Sequence, residues 1–343
     1  MKQIEKPSAR ANDSSENMSV GRLKTKPPLI ILTGPTAVGK SALSIKLAKQ
    51  IGGEIISADS MQVYRHTDIG SAKIMPEQMD GIPHHLIDIL EPSEEFNVVT
   101  FQRLAGQALA EIYGRGHIPI IVGGTGFYIQ ALLYDIDFTE NDEDKALREH
   151  LEEIAVTQGC NVLFERLRRI DPESCESIHP NNVKRVIRAI EFYEKTGTKI
   201  SAHNETQRQN ESPYNFAYFV LNDDRAKLYD KINARVDDMI EQGLVEEVSY
   251  LAAAGCTRDM VSMQGLGYKE ILDYLDGHIT LEDAVYLIKR DTRHFAKRQL
   301  TWFRRERDVI WVEKPEVDYD NQLINTLILE YMISVLRDKN IIN

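Results

Sequence analysis

The chain has 343 residues and a formal charge of −12, with 42% apolar and 27% charged residues, proportions ordinary for a globular protein. No apolar run approaches the roughly 20 residues that span a bilayer, and the first 26 residues are polar and mixed in charge, which excludes a secretory signal. Cys160, Cys175 and Cys256 have neither metal-ligand spacing nor an obvious pairing, which excludes a disulfide scaffold and fits a reducing compartment.

In chain order, residues 1–26 read as a disordered polar tail, in which Glu5, Asp13 and Glu16 argue against a transit peptide. The apolar run Leu29–Leu32 reads as a buried strand, and Ala42 to Gln50 as the helix behind it. Further strands are expected at Glu54–Ser57, Leu86–Ile89, Ile118–Val122, Ala217–Leu221 and Val309–Val312, with helices at Thr100–Gly114 and Ala226–Gln242. Strands alternating with helices indicate a doubly wound parallel sheet. After Phe138 the pattern turns helical, at Asp144–Gln158, Val162–Ile170 and Asn181–Lys195, and the polar stretch Ser201–Pro213 reads as a linker. The expected organisation is therefore an α/β core (27–138 and 214–315), an all-helical insertion (139–213) and a C-terminal helix (316–343).

The most informative stretch is Gly34-Pro35-Thr36-Ala37-Val38-Gly39-Lys40-Ser41, which matches the phosphate-loop pattern at every fixed position and lies between a strand and a helix. Such a loop aims backbone N–H groups and a helix N-terminus at one anion. Lys40 adds a point charge, and Ser41 offers a hydroxyl to Mg²⁺. Asp59 lies just past the second strand, where ligands bind in parallel sheets. It suits a general base or a water-bridged metal, and equally a turn aspartate. Ser60, Met61 and Gln62 follow it. The run Gly123-Gly124-Thr125-Gly126 again places glycines at a strand end, where a ligand or another backbone can come close. Taken alone it reads as a plain strand-to-helix turn.

Asn181 reads as a helix cap before Lys184, Arg185 and Arg188, which fit either an RNA-facing or a merely solvated basic face. Arg235 sits beside the core stripe Leu228, Ile232 and Val236, suited to a diphosphate clamp or to a surface ion pair with Asp238 or Glu241. Between Ile288 and Arg307 basic residues, Lys297 and Arg298 among them, interleave with His294, Phe295, Trp302 and Phe303. That composition suits a nucleic-acid surface despite the acidic total charge, or a solvated helix with its aromatics turned inward.

Together these stretches resemble one family, the tRNA dimethylallyltransferases, also called tRNA isopentenyltransferases. The resemblance runs from about Pro28 to Val312 and rests on GPTAVGKS, ISADSMQVYRHTDIGSAK, PHHLIDILEP, VGGTGFYIQALL, HPNNVKRVIRAIE, MQGLGYKE and FAKRQLTWFRR in that order. It implies a P-loop NTPase-like α/β core used for alkyl transfer. A dimethylallyl group moves from dimethylallyl diphosphate to N6 of the adenosine 3′ of the anticodon, in tRNAs that read codons starting with U. By the same resemblance the phosphate loop and Arg235 hold the diphosphate with Mg²⁺ on Ser41, Asp59 is the general base, and Thr125 positions the acceptor. Asp59 to Gln62, Thr125, Arg148, Lys184 to Arg188 (Val186 and Ile187 included), Gln264-Gly265-Leu266-Gly267-Tyr268-Lys269, Lys297 and Arg298 then touch the anticodon stem-loop.

Eukaryotic members carry a C-terminal zinc finger. Cys256 is the last cysteine here, so the bacterial form is expected, as a cytoplasmic monomer without membrane attachment. The competing expectations are an adenylate isopentenyltransferase acting on free nucleotides, a phosphate-loop small-molecule kinase, and a non-catalytic RNA-binding module.

Overall fold

Six parallel strands in the order β3-β2-β4-β1-β5-β6 form the frame of the molecule. The computed structural model describes residues 26–138 and 145–337. The elements are β1 (Pro28–Thr33), α1 (Lys40–Ile51), β2 (Gly53–Ala58), β3 (His84–His85), α2 (Val98–Gly114), β4 (Ile118–Gly123), α3 (Gly126–Leu133), α4 (Lys145–Gln158), α5 (Cys160–Ile170), α6 (Ser174–Ser177), α7 (Val183–Thr196), α8 (Ile200–Arg208), β5 (Asn215–Asn222), α9 (Arg225–Glu241), α10 (Leu244–Ala253), α11 (Tyr268–Leu275), α12 (Leu281–Phe303), β6 (Val309–Glu313) and α13 (Asn321–Arg337).

The central strand β1 is paired on both sides, Ile30 with Ile120 on β4 and Ile30 with Ala217 on β5. Period-two alternation sends Leu29 and Ile31 into the layer built with α2 and α3, and Ile30 and Leu32 into the layer built with α1, α9 and α13. Because β1 lies between β4 and β5 while the chain runs from β1 to β2, a crevice opens at the carboxyl ends of β1 and β4. Local signals agree with the frame. The Asn97 side chain accepts from the N–H groups of Val99 and Thr100 to start α2, Asp224 does the same for α9, and Gly52 closes α1 at φ 64°.

Helices α4–α8 lie between α3 and β5, with no strand among their described residues. They bury their own cluster, including Leu151, Leu163, Phe164, Leu167, Val186 and Ile190. A second satellite cluster joins α10, α11 and the first half of α12 through Leu244, Val248, Tyr268, Ile271 and Ile288.

Three expectations are corrected. The stretch read as a linker, Ser201–Pro213, is helical in its first part as α8. Ile200 packs into the insertion cluster, the His203 ring lies 4.9 Å from Phe192, and Ser201 bonds to buried Asp171, so tertiary contacts outweigh polar composition. The strand expected at Leu86–Ile89 is only His84–His85. Leu86 and Asp88 take left-handed backbone conformations, and the N–H of Ile89 bonds to the Val63 carbonyl outside the sheet. The cap of α7 is Asn182 rather than Asn181, its side chain accepting from the N–H of Arg185. The tail 1–25 and residues 139–144 and 338–343 lie outside the described residues.

Candidate active site

At the carboxyl end of β1 the loop 34–39 turns into α1. Gly34 has φ 146°, and a Cβ there would lie 2.4 Å from the Leu221 carbonyl oxygen, so only glycine lets the loop pass β5 so closely. Lys40 Nζ donates to the carbonyls of Gly34 (3.0 Å) and Pro35 (2.9 Å), which folds the ammonium back over the loop. Burial, with the Arg235 charge beside it, lowers the Lys40 pKa to about 8, while Asp59 opposes the shift. Arg235 projects from α9 between buried Ile232 and Val236, and its Nη1 donates to Thr36 Oγ1 at 3.4 Å. Burial lowers its pKa as well and Asp59 again raises it, so Asp59, Lys40 and Arg235 share one electrostatic field. Arg235 is half-buried, and Asp238, one turn on along α9, acts on its charge as well.

Asp59 sits just past β2. Its Oδ1 accepts from the N–H groups of Met61 (2.9 Å) and Gln62 (3.4 Å), a turn that fixes the carboxylate at the rim of the crevice. The turn and the functional reading of Asp59 are therefore compatible. The Gln62 amide donates to the carbonyls of Ser71 and Ala72, which closes the loop that carries it. Thr125 reaches the same rim from β4. Its N–H donates to the Ala58 carbonyl (3.3 Å), one residue before Asp59, and its hydroxyl makes no cap bond.

The glycines around Thr125 have distinct reasons. A Cβ on Gly123 would lie 2.3 Å from the Ala58 carbonyl, which is the close backbone approach expected. A Cβ on Gly124 would lie 2.1 Å from Gln299 Nε2, and one on Gly126 would lie 2.2 Å from the Trp302 ring. These two admit side chains of α12 rather than a ligand. Gln299 was missed by sequence reasoning. It is 6% exposed, accepts from the Thr36 N–H (2.9 Å) and donates to the Gly124 carbonyl (3.0 Å). Its one signal was a polar residue between Ala296 and Phe303 on the buried stripe of a basic helix. Lys314, after β6, was missed too. Its Nζ donates to the Val38 carbonyl at 3.1 Å, and burial lowers its pKa.

The residues read as RNA-facing divide. Lys184 and Arg185 on α7 are exposed, and Arg188 is half-buried. Val186 and Ile187 are buried in the insertion cluster and offer no side-chain surface. The Arg148 guanidinium grips buried Glu191 in a two-pronged pair at 3.0 and 2.9 Å, which holds α4 on α7. Lys297 and Arg298 lie on the exposed side of α12, opposite Ala296 and Gln299. In the 264–269 segment, Gln264 donates to the Arg258 carbonyl, Gly265 packs against Met61, and Lys269 pairs with Glu270 at 3.4 Å. Gly265, Gly267 and Tyr268 are buried and Leu266 is half-buried. The Tyr268 hydroxyl donates to Glu247, whose carboxylate also accepts the N–H groups of Asp68, Ile69 and Gly70. This segment therefore pins the loop that follows Asp59.

No group of three or more His, Cys, Asp or Glu side chains among the described residues is arranged to hold a metal. Among the described residues the exposed Ser41 hydroxyl at the start of α1 has no hydrogen-bond partner. One hydroxyl without a carboxylate cage fits a Mg²⁺ that keeps waters and takes its other ligands from substrate phosphates.

The chain is similar throughout most of its length to proteins of one family. The sequence model of the family described as IPP transferase matches residues 62–306, and that described as isopentenyl transferase matches 27–89. A tRNA dimethylallyltransferase of Lachnoclostridium phytofermentans is 62% identical over 315 residues, 92% of this chain and 99% of that protein. Among solved structures, a full-length tRNA isopentenylpyrophosphate transferase from Bacillus halodurans is 44% identical with a TM-score of 0.69, covering 92% of this chain and 99% of its own. A eukaryotic dimethylallyltransferase acting on tRNA is 32% identical with a TM-score of 0.72, covering 84% of this chain and 74% of its own.

Proposed function

We infer the chemistry of this crevice from one premise: the chain belongs to the tRNA dimethylallyltransferase family. It is a transferase that modifies tRNA. We propose that the donor is dimethylallyl diphosphate, and that the acceptor is N6 of the adenosine 3′ of the anticodon, in tRNAs reading codons that start with U. The observation that carries this reading is the meeting of Lys40 and Arg235 with Asp59 and Thr125 at one strand-end crevice, a diphosphate clamp beside a carboxylate and a hydroxyl.

Cleavage of the allylic C–O bond builds negative charge on the diphosphate and positive charge on carbon. The loop N–H groups, Lys40 and Arg235 stabilise the departing anion, and fixed donors of this kind lower such barriers most. As N6 bonds to the allylic carbon it must lose a proton, and the Asp59 carboxylate accepts it. Thr125 orients the base, which has to leave the anticodon stack to reach the crevice. Ser41 would hold Mg²⁺, which supplies further charge neutralisation on the diphosphate when bound. Lys184, Arg185, Lys297 and Arg298 supply exposed positive charge for the anticodon stem-loop.

The working unit in this proposal is a monomer. No helix among the described residues is long and apolar enough to cross a membrane, and a tRNA substrate supports a cytoplasmic site of action. The test is prenyl transfer from radiolabelled dimethylallyl diphosphate with Mg²⁺, comparing unmodified tRNA with free AMP. Label in tRNA and not in AMP is expected. Label in AMP alone would move the reaction to free nucleotides.

A further inference from the structure

We propose that Gln299 is a positioning residue that sets the distance between the donor loop and the acceptor loop. A single buried amide is bonded to both. Its Oε1 accepts from the Thr36 N–H at 2.9 Å, in the middle of the phosphate loop, and its Nε2 donates to the Gly124 carbonyl at 3.0 Å, one residue before Thr125. Gly124 leaves no room for a Cβ against this amide. One helical turn on, Trp302 lies against Gly126 in the same way. The last turns of α12 thus index both sides of Thr125. The amide also orients Thr36, whose hydroxyl takes the Arg235 guanidinium.

A Thr36 N–H held by Gln299 is turned toward α12. In this arrangement it acts as a strut, and the anion is left to the other loop amides, Lys40 and Arg235. Prenyl transfer needs the allylic carbon and N6 brought to near-contact in line, and a misplacement of about 1 Å can cost on the order of a hundredfold in rate. The glutamine amide accepts at one end and donates at the other without carrying charge at any pH of the assay. The inference rests on the site reading above, and prenyl transfer by the unaltered protein in the same assay tests that reading separately.

The experiment uses two variants of the full chain. Gln299→Met keeps the volume and loses both hydrogen bonds. Expected is a kcat about ten- to hundredfold lower, with the affinity for inorganic diphosphate within about threefold of the parent and a single cooperative melting transition retained. A kcat within about twofold of the parent, or an equal loss of kcat and diphosphate affinity, overturns the proposal. Gln299→Glu carries the test should the first variant fold poorly. Its carboxylate accepts from Thr36 and cannot donate to Gly124. Protonated, it does both. Arg235 reaches Thr36, the residue Gln299 holds, and shares its field with Lys40 and Asp59; Lys297 and Arg298, beside Gln299 in the chain, lie on the exposed side of α12. Measuring variant and parent at each pH cancels the titration of those groups. The ratio of variant to parent kcat should rise as pH falls, and a flat ratio overturns the proposal.

Discussion

Asp59 and Lys40 have separate, measurable roles in the proposed reaction. Asp59→Ala should lower kcat by about a hundredfold or more, the range of general-base losses, while tRNA affinity changes little. Equal losses in both would remove the base assignment. Lys40 behaves differently, because its pKa is lowered to about 8 in the free protein by burial and by the Arg235 charge. The ammonium is present below that value and lost above it. Affinity for inorganic diphosphate, measured by titration calorimetry without Mg²⁺, should therefore fall as pH rises from about 7 to 9. In Lys40→Arg this fall should vanish, since a guanidinium stays charged throughout.

At the scale of elements, α12 serves two faces. Its buried stripe, Ala296, Gln299 and Phe303, locks onto the sheet and the site loops, and its exposed side carries Lys297 and Arg298. Replacing both with Ala should weaken tRNA binding and flatten its dependence on salt by about two units of logarithmic slope, one per lost phosphate contact. Filter binding across a salt series reads this directly. Glu247 on α10 ties the Asp68–Gly70 segment to Tyr268 through four hydrogen bonds, and Gly70 admits the Tyr268 ring where a Cβ would collide. Glu247→Ala should cost about 2–3 kcal/mol in stability, read by urea denaturation. It should also raise proteolytic nicking between Tyr64 and Lys73.

Across the whole molecule, buried Glu54 and half-buried Glu306 have opposite effects on stability. Glu54, at the amino end of β2, accepts from Arg115, His85 and His117, and these bonds, Arg115 foremost, lower its pKa to about 2. Its contribution is complete above the unfolded value and is lost as pH falls toward 2. Glu306, after α12, is raised to about 7 by burial, with Trp302 and Arg307 opposing. Its charged form is disfavoured in the folded state, so it lowers stability as pH rises from the unfolded value through 7. Glu306→Gln should therefore stabilise the protein at pH 8 by about 1–2 kcal/mol and have no effect near pH 4. Thermal melts at the two pH values check this.

The phosphate loop, Asp59 and Arg235 were legible because each is a local pattern at a strand end or beside an apolar stripe. The strut Gln299, the Lys314 brace and the pairing of Arg148 with Glu191 were not, because each depends on a partner far away in sequence. The Gly124–Gln299 bond spans 175 positions. The helix α8 was hidden for the same reason, since Asp171 and Phe192 hold it rather than its own composition.

The placement of β1 between β4 and β5 also has a consequence in time. Pro28 pairs with Asn215, and the helices α3–α8 are made between Gly123 and that partner. Roughly 90 residues, at about 5–20 residues per second, leave an apolar edge of β1 open for several seconds on the ribosome. During that interval the nascent sheet is half built, and its inner strand is the one most in need of cover from chaperones.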